Sequence, residues 1–310
     1  MRKLAICVAT YKRPAMLERL VRSLNAMQRP EGVRLELRII DNDRDGSARS
    51  AVAALAADEH ITLPIRYRLV SRPNIAAARN AAVEMGGANL VMFIDDDEVA
   101  HPSCLGELLD AFDASSADAV VGWVGANFEK SPPTWMTRGG YFDHPTGDAG
   151  APLDWRGTRC GCTLVCGSWF YDHGYRFDFE YGRSGGEDVE FFARLADAGA
   201  TFCAAPEAIA IETIPEDRMS MQWLVRRAWR AGLCYERVAR GRDPRSPMVR
   251  FAGRSGRAAT RMVSSIPSAL TGRPEGLVNA LRDGALAGGG LVGWLRPRVA
   301  QQHACYGASS

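Results

Sequence analysis

The sequence predicts an α/β fold: a mostly parallel sheet covered by helices on both faces, followed by a helical C-terminal appendage. Three observations predict it. Apolar strand-like runs alternate with helix-period segments through the first hundred residues. Polar clusters fall just after those runs, at the carboxyl ends of the strands. Beyond Gly241 the chain becomes Arg-, Gly- and Pro-punctuated and carries no further strand pattern.

The elements follow in order. Leu4 to Ala9 is a continuous apolar run, the pattern of a strand buried on both faces. Pro14 opens a helix to Met27, with Met16, Leu17, Leu20, Val21 and Leu24 at helical spacing. Leu35 to Ile40 is the second strand and ends at Asp41-Asn42-Asp43. Ser47 to Ala57 is Ala-rich and helical, Ile65 to Val70 is the third strand, and Ile75 to Met85 is a helix stopped by Gly86-Gly87. Leu90 to Ile94 is the fourth strand and runs into Asp95-Asp96-Asp97. After Pro102 come a helix over Cys104 to Phe112 and a strand over Ala119 to Gly125. Glu129 to Arg159 has no clean period and reads as a long functional loop or lid. Thr163 to Cys166 returns to strand, Gly186 to Gly199 is a helix, and two short strands, Thr201 to Ala204 and Ala208 to Glu212, close the core. Met221 to Arg240 is a long helix. The predicted organisation is therefore a domain over 1–240, in two halves over 1–100 and 101–240, and an appendage over 241–310.

Bulk properties narrow the function classes. At 310 residues, with 46% hydrophobic and 24% charged residues, the chain can bury a large core and is not compositionally disordered. The net charge of +2 conceals a split. From Arg226 to Ser310 there are 15 Arg and 4 acids, while the rest of the chain carries 23 bases and 32 acids. A basic quarter suits an anionic partner, either membrane lipid or nucleic acid, or simply solvated helix faces. It lacks the regular aromatic interleaving that single-stranded nucleic acid favours, so nucleic acid is the weaker expectation.

The Leu4–Ala9 run is too short for a secretory signal. No stretch reaches the roughly 20 apolar residues of a spanning helix, and Gly284 to Leu295 holds five glycines. The expectation is a cytoplasmic protein, peripheral on the cytoplasmic face of the inner membrane. Of eight cysteines only Cys160, Cys162 and Cys166 cluster, and their spacing lacks the second pair that zinc sites use, so free thiols are expected.

The chemistry concentrates at the strand ends. Three adjacent carboxylates, Asp95, Asp96 and Asp97, repel one another unless a cation or hydrogen bonds compensate. Their oxygen ligands suit Mg²⁺ or Mn²⁺, which bind through one or two carboxylates plus phosphate oxygens. Glu187-Asp188 opens a helix behind Ser184-Gly185-Gly186, where a fixed carboxylate can act as a general base; ordinary N-terminal acid placement is the competing reading. Arg13, Arg72 and Arg79 lie near the same rim and could meet phosphate. Glu212, at the end of a late strand, is a further candidate metal ligand. Arg226 and Arg227 could reach a diphosphate from the following helix. Trp135, Trp155 and Trp169 could form a sugar platform or pack in the core.

With these motifs the chain resembles the family 2 glycosyltransferases of GT-A fold, over about Lys3 to Arg230. Val8-Ala9-Thr10-Tyr11-Lys12-Arg13-Pro14 is similar to the family's nucleotide-binding strand and turn, and Asp41-Asn42-Asp43 to its base-binding acidic pair. Asn74-Ile75-Ala76-Ala77-Ala78-Arg79-Asn80 is similar to its N-x4-RN segment, and Phe93-Ile94-Asp95-Asp96-Asp97 to its DXD motif. Gly185-Gly186-Glu187-Asp188-Val189-Glu190 resembles its ED block.

The resemblance implies a nucleotide-binding, Rossmann-like half over 1–100, an acceptor-binding half over 101–240, and an inverting, metal-dependent sugar transfer from a nucleotide-diphosphate sugar, UDP-linked by analogy. Thr10, Tyr11, Arg13, Asp41, Asp43, Asn74, Arg79, Asp95, Asp96 and Glu187 would line the donor site. Asp97, with Asp95 and Glu212, would hold Mn²⁺ or Mg²⁺, and Asp188 would be the base. The acceptor would be a glycan or lipid-linked glycan in polysaccharide or glycoconjugate biosynthesis. Three departures stand out. Glu212 occupies a neighbourhood where relatives often carry His. Gln222-Trp223-Leu224-Val225-Arg226-Arg227 only loosely echoes the processive QxxRW motif, so a non-processive enzyme is expected. Cys162 stands where relatives often have Asn.

Other classes fit less well. A sugar-nucleotide nucleotidyltransferase should show a Gly-rich basic loop after the first strand, and Thr10 to Pro14 has no glycine. A dehydrogenase should show GxGxxG there. An aspartyl phosphatase would carry its acidic motif after the first strand, not the fourth. A non-catalytic sugar-nucleotide-binding protein would have little need of the full set of carboxylates.

Overall fold

The computed structural model describes residues 1–295. Residues 296–310, which hold Cys305 and the end of the predicted appendage, lie outside the described residues.

The first hundred residues form the expected alternation. It runs β1 (Arg2–Thr10), α1 (Pro14–Ala26), β2 (Val33–Asp41), α2 (Arg49–Ala57), β3 (Ile65–Leu69), α3 (Ile75–Val83) and β4 (Leu90–Phe93). A three-residue strand, β5 (Glu98–Ala100), follows at once, and then α4 (Cys104–Ser115) and β6 (Ala119–Phe128). The segment expected to be a loop holds a short helix α5 (Thr134–Gly139), a two-residue strand β7 (Pro152–Leu153) and a 3₁₀ turn over Trp155–Gly157. Next come β8 (Thr163–Cys166), α6 (Ser168–Tyr171), α7 (Glu187–Asp197) and β9 (Phe202–Ile214). The chain continues into α8 (Met221–Ala239), α9 (Pro247–Leu270) and α10 (Glu275–Leu295).

The sheet order is β3-β2-β1-β4-β8-β6-β9-β5, with β7 paired to β9. β1 pairs in parallel with β2 and β4, and β2 with β3. β8 is antiparallel to β4 and β6, and β5 is antiparallel to β9. The parallel half is covered on both faces, which explains the continuous apolar runs. On one face Leu4, Ile6 and Val8 meet Leu17, Leu20, Val21, Leu24, Val52 and Leu55. On the other, Phe93, Phe170, Phe177 and Phe191 stack together, Phe177 on Phe191 with ring centroids 4.3 Å apart.

One buried residue was not foreseen. Arg38 on β2 has no exposed surface. Its guanidinium donates to Glu36 at 2.8 Å, to the carbonyls of Ala82 and Val83 at 3.0 and 3.3 Å, and to the Tyr171 hydroxyl at 3.2 Å. A cation there satisfies orphan carbonyls at the end of α3 and complements its dipole.

The chain forms two compact units. One comprises 1–127, 144–182 and 187–213; the other comprises 128–143, 183–186 and 214 onward. The first holds the sheet and the helices through α7, apart from α5. The second holds α5 and the three long helices. In that second unit the glycine-rich run of α10 lies against α8. A Cβ at Gly289 would stand 2.1 Å from the Trp229 carbonyl, one at Gly293 2.9 Å from the Leu233 carbonyl, and one at Gly232 2.3 Å from the Leu286 carbonyl. The glycines therefore serve close backbone approach between two helices. A buried ion pair, Arg250 with Glu236, ties α9 to α8.

Candidate active site

Four strand ends of the first unit bring the polar clusters to one edge of the sheet. After β1, Thr10 is 2% exposed, and its hydroxyl donates to Asp96 Oδ2 at 2.8 Å. The chain then turns through Lys12 in the left-handed region, φ 55°, with Tyr11 partly buried beside it. That turn points Arg13 across the rim, where Nη1 donates to Asp96 Oδ1 at 3.0 Å and to Asp97 Oδ2 at 2.8 Å. Two of the three triplet carboxylates are thus compensated by one guanidinium. The third, Asp95, is the most open, with 44% of its side chain exposed.

After β2, Asp41 is fully buried and holds its own loop. It accepts from the Asp43 and Ala48 amides at 3.0 and 2.8 Å and from the Tyr67 hydroxyl at 3.0 Å. Asp43 is 3% exposed, and its Oδ1 accepts from the Asp45 amide at 3.4 Å. Asn42 braces the next loop, donating to the Val70 and Arg72 carbonyls and accepting from the Asn74 amide at 2.7 Å. The Arg72 side chain itself is exposed.

Asn74 caps α3, accepting from the Ala77 amide at 3.0 Å, and donates to the Phe179 carbonyl at 2.9 Å. A Cβ at Gly182 would stand 1.9 Å from Asn74 Oδ1, so the segment around Phe177 to Gly182 packs directly on this cap. Asn80 anchors the same segment through paired 2.8 Å bonds with the Phe177 backbone.

Arg79 connects the fourth strand end to α7. It is 7% exposed, pairs with Glu187, and donates to Asp95 Oδ1 at 3.1 Å. Burial works against its charge, but Cys160, Glu187, Asp95 and Asp188 outweigh it, and the Arg79 pKa rises well above the usual value. The Glu187 carboxyl is pushed up to about 7 by burial, against the pull of Arg79 and with the repulsion of Asp188 added. Asp188, half-buried next to it, accepts from the Val189 amide at 2.8 Å. Gly185 and Gly186, at φ 78° and 82°, take the left-handed conformations that bring the chain to this helix start.

A residue missed in the sequence sits beneath the triplet. Glu98, on β5, is 4% exposed, and its carboxylate lies over Gly161, where a Cβ would stand 2.4 Å from Oε1. Burial drives its pKa well above normal, with Asp95, Cys162, Asp97 and Glu212 adding repulsion. Its one sequence signal was to be a fourth consecutive acid. Glu212 is its cross-strand partner, and the Thr213 amide donates to the Asp97 carbonyl at 2.7 Å, so β9 brings Glu212 to the triplet. Burial likewise pushes Asp96 up to about 6, opposed by Arg13 and reinforced by Asp97.

Among the described residues no three His, Cys, Asp or Glu side chains converge as a metal cage. The donor set nevertheless suits a hard cation. Asp95 and Asp97 follow β4, β9 carries Glu212 to the same edge, burial pushes Asp96 and Glu98 there toward protonation, and Mg²⁺ or Mn²⁺ bound through one or two carboxylates is usually completed by phosphate oxygens and water.

The remaining candidates lie elsewhere. Trp169 is 9% exposed and donates to Asp118 at 2.9 Å, and Trp155 is 8% exposed beneath the Arg156 guanidinium, so both pack in the core. Trp135 lies against Tyr141, and Arg227 over Trp223 and Phe142, in the second unit. Cys162 takes the left-handed conformation, φ 48°, with Sγ 3.4 Å from Cys104 Sγ. Asn tolerates that region better than most residues do. Among the described residues all cysteines are free.

Residues 5–173 match the model of the family described as "Glycosyl transferase family 2", more than half of the chain. The chain belongs to glycosyl transferase family 2. A curated relative of this family 2 chain is the succinoglycan biosynthesis protein ExoM of Rhizobium meliloti (strain 1021). It is 34% identical over 288 residues, covering 91% of each chain. Solved structures with the same GT-A architecture include S. aureus TarS 1-349 in complex with UDP. It has 12% identity and a TM-score of 0.53, covering 96% of this chain and 92% of that one. Another is the mannosyltransferase PcManGT of Pyrobaculum calidifontis in complex with GDP-Man and Mn²⁺. It has 17% identity and a TM-score of 0.57, covering 92% of this chain and 73% of that one. The family match holds Thr10, Asp41, Arg79 and the Asp triplet, while Glu187-Asp188 and Glu212 lie beyond it.

Proposed function

We propose that this chain transfers a sugar from a nucleoside diphosphate donor, UDP-linked, onto an acceptor hydroxyl with inversion. The acceptor is a glycan or lipid-linked glycan under construction, in keeping with the ExoM relationship. One observation carries the reading. Thr10 and Arg13 hold Asp96 and Asp97, Arg79 holds the adjacent Asp95, and through Arg79 the triplet is tied to Glu187 at the start of α7.

In this reading Asp41 and Asn74 shape the nucleotide pocket by fixing its loops, and Asp43 and Tyr11 line it. Thr10 and Arg13 hold Asp96 for the ribose. Asp97, with Asp95 and Glu212, would hold Mn²⁺ or Mg²⁺, which neutralises charge on the departing diphosphate. Asp188 takes the proton from the acceptor hydroxyl as its oxygen attacks the anomeric carbon. Arg79 and Glu187 fix the start of α7 and so the place of that base. The work is done on the cytoplasmic face of a membrane. The Arg-rich C-terminal quarter supports that location, and among the described residues no helix is long and apolar enough to cross a bilayer.

The test is nucleotide release from a panel of UDP-, GDP- and dTDP-sugars with Mn²⁺ or Mg²⁺, for the natural chain, Asp97→Asn and Asp188→Asn. Metal-dependent release from one donor, lost in Asp97→Asn, is expected. Asp188→Asn should keep donor affinity by calorimetry and lose transfer. Absence of both binding and release for every donor would overturn the reading. Loss of donor affinity in Asp188→Asn would move that residue to the nucleotide.

A further inference from the structure

The second unit carries an exposed surface to which the proposed chemistry assigns no role. α9 is apolar on two sides. Its inner side packs through Phe251, Met262 and the buried Ser265, against which a Cβ at Gly276 would stand 2.5 Å away. Its outer side faces solvent. Val249, Val263, Ile266 and Leu270 are 58, 70, 52 and 83% exposed. Ala252, Gly256 and Ala259 fill the positions between them at steps of three and four residues, which puts all seven on one stripe. A side chain at Gly256 would enter open space. Over 24 residues the helix is about 36 Å long. Soluble helices place polar residues on such a face.

The charge around the stripe identifies what covers it. α9 contains no acid and four Arg. From Arg226 onward every acid is matched locally: Glu236 by Arg250, Asp243 by Arg245, Glu275 by Arg138 and Asp283 by Arg261. Arg257 and Arg273 form no ion pair among the described residues, and both are exposed. Arg257 lies on the outer side beyond Thr260, and Arg273 just past Leu270. At the other end of α9, Trp294 and Leu295 are 37 and 60% exposed and share a cleft with Pro247, Arg240 and Arg245. A second copy of the chain is a poorer fit. Pro267 interrupts the stripe, and α9 has no acid with which a second copy could meet Arg257 and Arg273. An anionic bilayer turns the same arginines into attraction, and Trp suits the headgroup level.

We propose that the outer stripe of α9 lies on a bilayer surface containing anionic lipid. Its apolar side chains enter the headgroup–acyl boundary, and Arg257 and Arg273 meet lipid phosphates. This rests on the peripheral-membrane part of the proposed function and is independent of its chemistry.

Flotation of the full chain with phosphatidylcholine vesicles, with and without phosphatidylglycerol, tests it. Recovery with the anionic vesicles only, weakened by salt, is expected. Val263→Asp with Ile266→Asp should abolish it, and Arg257→Glu with Arg273→Glu should weaken partitioning by at least about five-fold per arginine. Arg19→Glu, on an exposed position of the first unit, should float as the natural chain does. Donor binding by calorimetry should be the same in every variant, so loss of donor binding bears on the active site while loss of flotation bears on the stripe. Equal recovery of the natural chain and both double variants would overturn the proposal. So would a concentration-dependent dimer that the Val263→Asp, Ile266→Asp variant breaks while flotation is unchanged.

Discussion

Replacing Glu187 by Gln isolates the electrostatic cost of the buried clamp around α7. Glu187 has 8% of its side chain exposed and pairs with Arg79, which also holds Asp95. Its carboxyl stands at about 7 in the folded chain, against an ordinary value near 4.5. A raised acid binds its proton more readily folded than unfolded. Its contribution to stability is therefore full below the unfolded value and lost as pH rises through the folded one. Every pH unit separating the folded from the unfolded value is worth about 1.4 kcal/mol, so the natural chain should lose roughly 3 kcal/mol from this group between pH 4.5 and pH 7.

Glutamine mimics the protonated form at every pH and removes that slope. Asp96, also pushed up, to about 6, contributes a slope of the same sign to both proteins, so it cancels in the difference. Urea denaturation at pH 5 and pH 8 reads the effect. The two proteins should be close in stability at pH 5, and Glu187→Gln should be relatively more stable by about 2–3 kcal/mol at pH 8. The same stability difference at both pH values would refute the argument. It would mean that Arg79 compensates Glu187 fully.

Two other perturbations follow from the packing. Thr10→Val keeps the shape but removes the 2.8 Å bond to buried Asp96, and should cost about 1–3 kcal/mol by denaturation and weaken donor binding. Equal donor affinity would detach Thr10 from the rim. On α10, Gly289→Leu drives a side chain into the Trp229 carbonyl and should cost at least about 1–3 kcal/mol, whereas Gly284→Ala, with open space around it, should stabilise by about 0.5–1 kcal/mol. Equal thermal midpoints for the two variants would refute the close helix contact.

The first half of the fold was legible because β1, β4 and most of β2 are buried on both faces and α1 shows one apolar stripe. Leu4–Val8 and Leu90–Phe93 could be little else. The second half was harder to read for local reasons. β5 is three residues long, follows a run of acids, and exists because β9 reaches past it. Pro206 suggested two strands where one runs from Phe202 to Ile214. It falls between the stretch paired to β7 and the stretch paired to β5, where a missing N–H disturbs neither pairing. At the site, the strand-end acids were visible because loop position alone places them. Arg38 under α3, Tyr67 on Asp41, Gly182 on Asn74 and Glu98 over Gly161 were not. Each is defined by a neighbour far away in sequence, and none has a local pattern.

The rim is short of positive charge. Arg13 serves both Asp96 and Asp97, and Arg79 serves both Asp95 and Glu187, while Glu98, Asp188 and Glu212 add three more acids to the same neighbourhood. Such a surplus could belong to a structural network or to a site awaiting a cation. A purely structural network would satisfy its carboxylates internally, and burial would then favour pairing each one with a cation. Here burial displaces Asp96, Glu98 and Glu187 toward their protonated forms, and Arg13 and Arg79 offset it only in part for Asp96 and Glu187. On the proposed function, a divalent cation would lower that cost and would draw a diphosphate with it, since the ion's remaining coordination positions need oxygen. Fully compensated acids would bind a metal less well, and a bare acidic pocket would repel the donor's phosphates. On the proposed function, a site with Arg13 and Arg79 in place and Arg159 near Glu98 and Asp188 is one that a cation and its diphosphate would enter together.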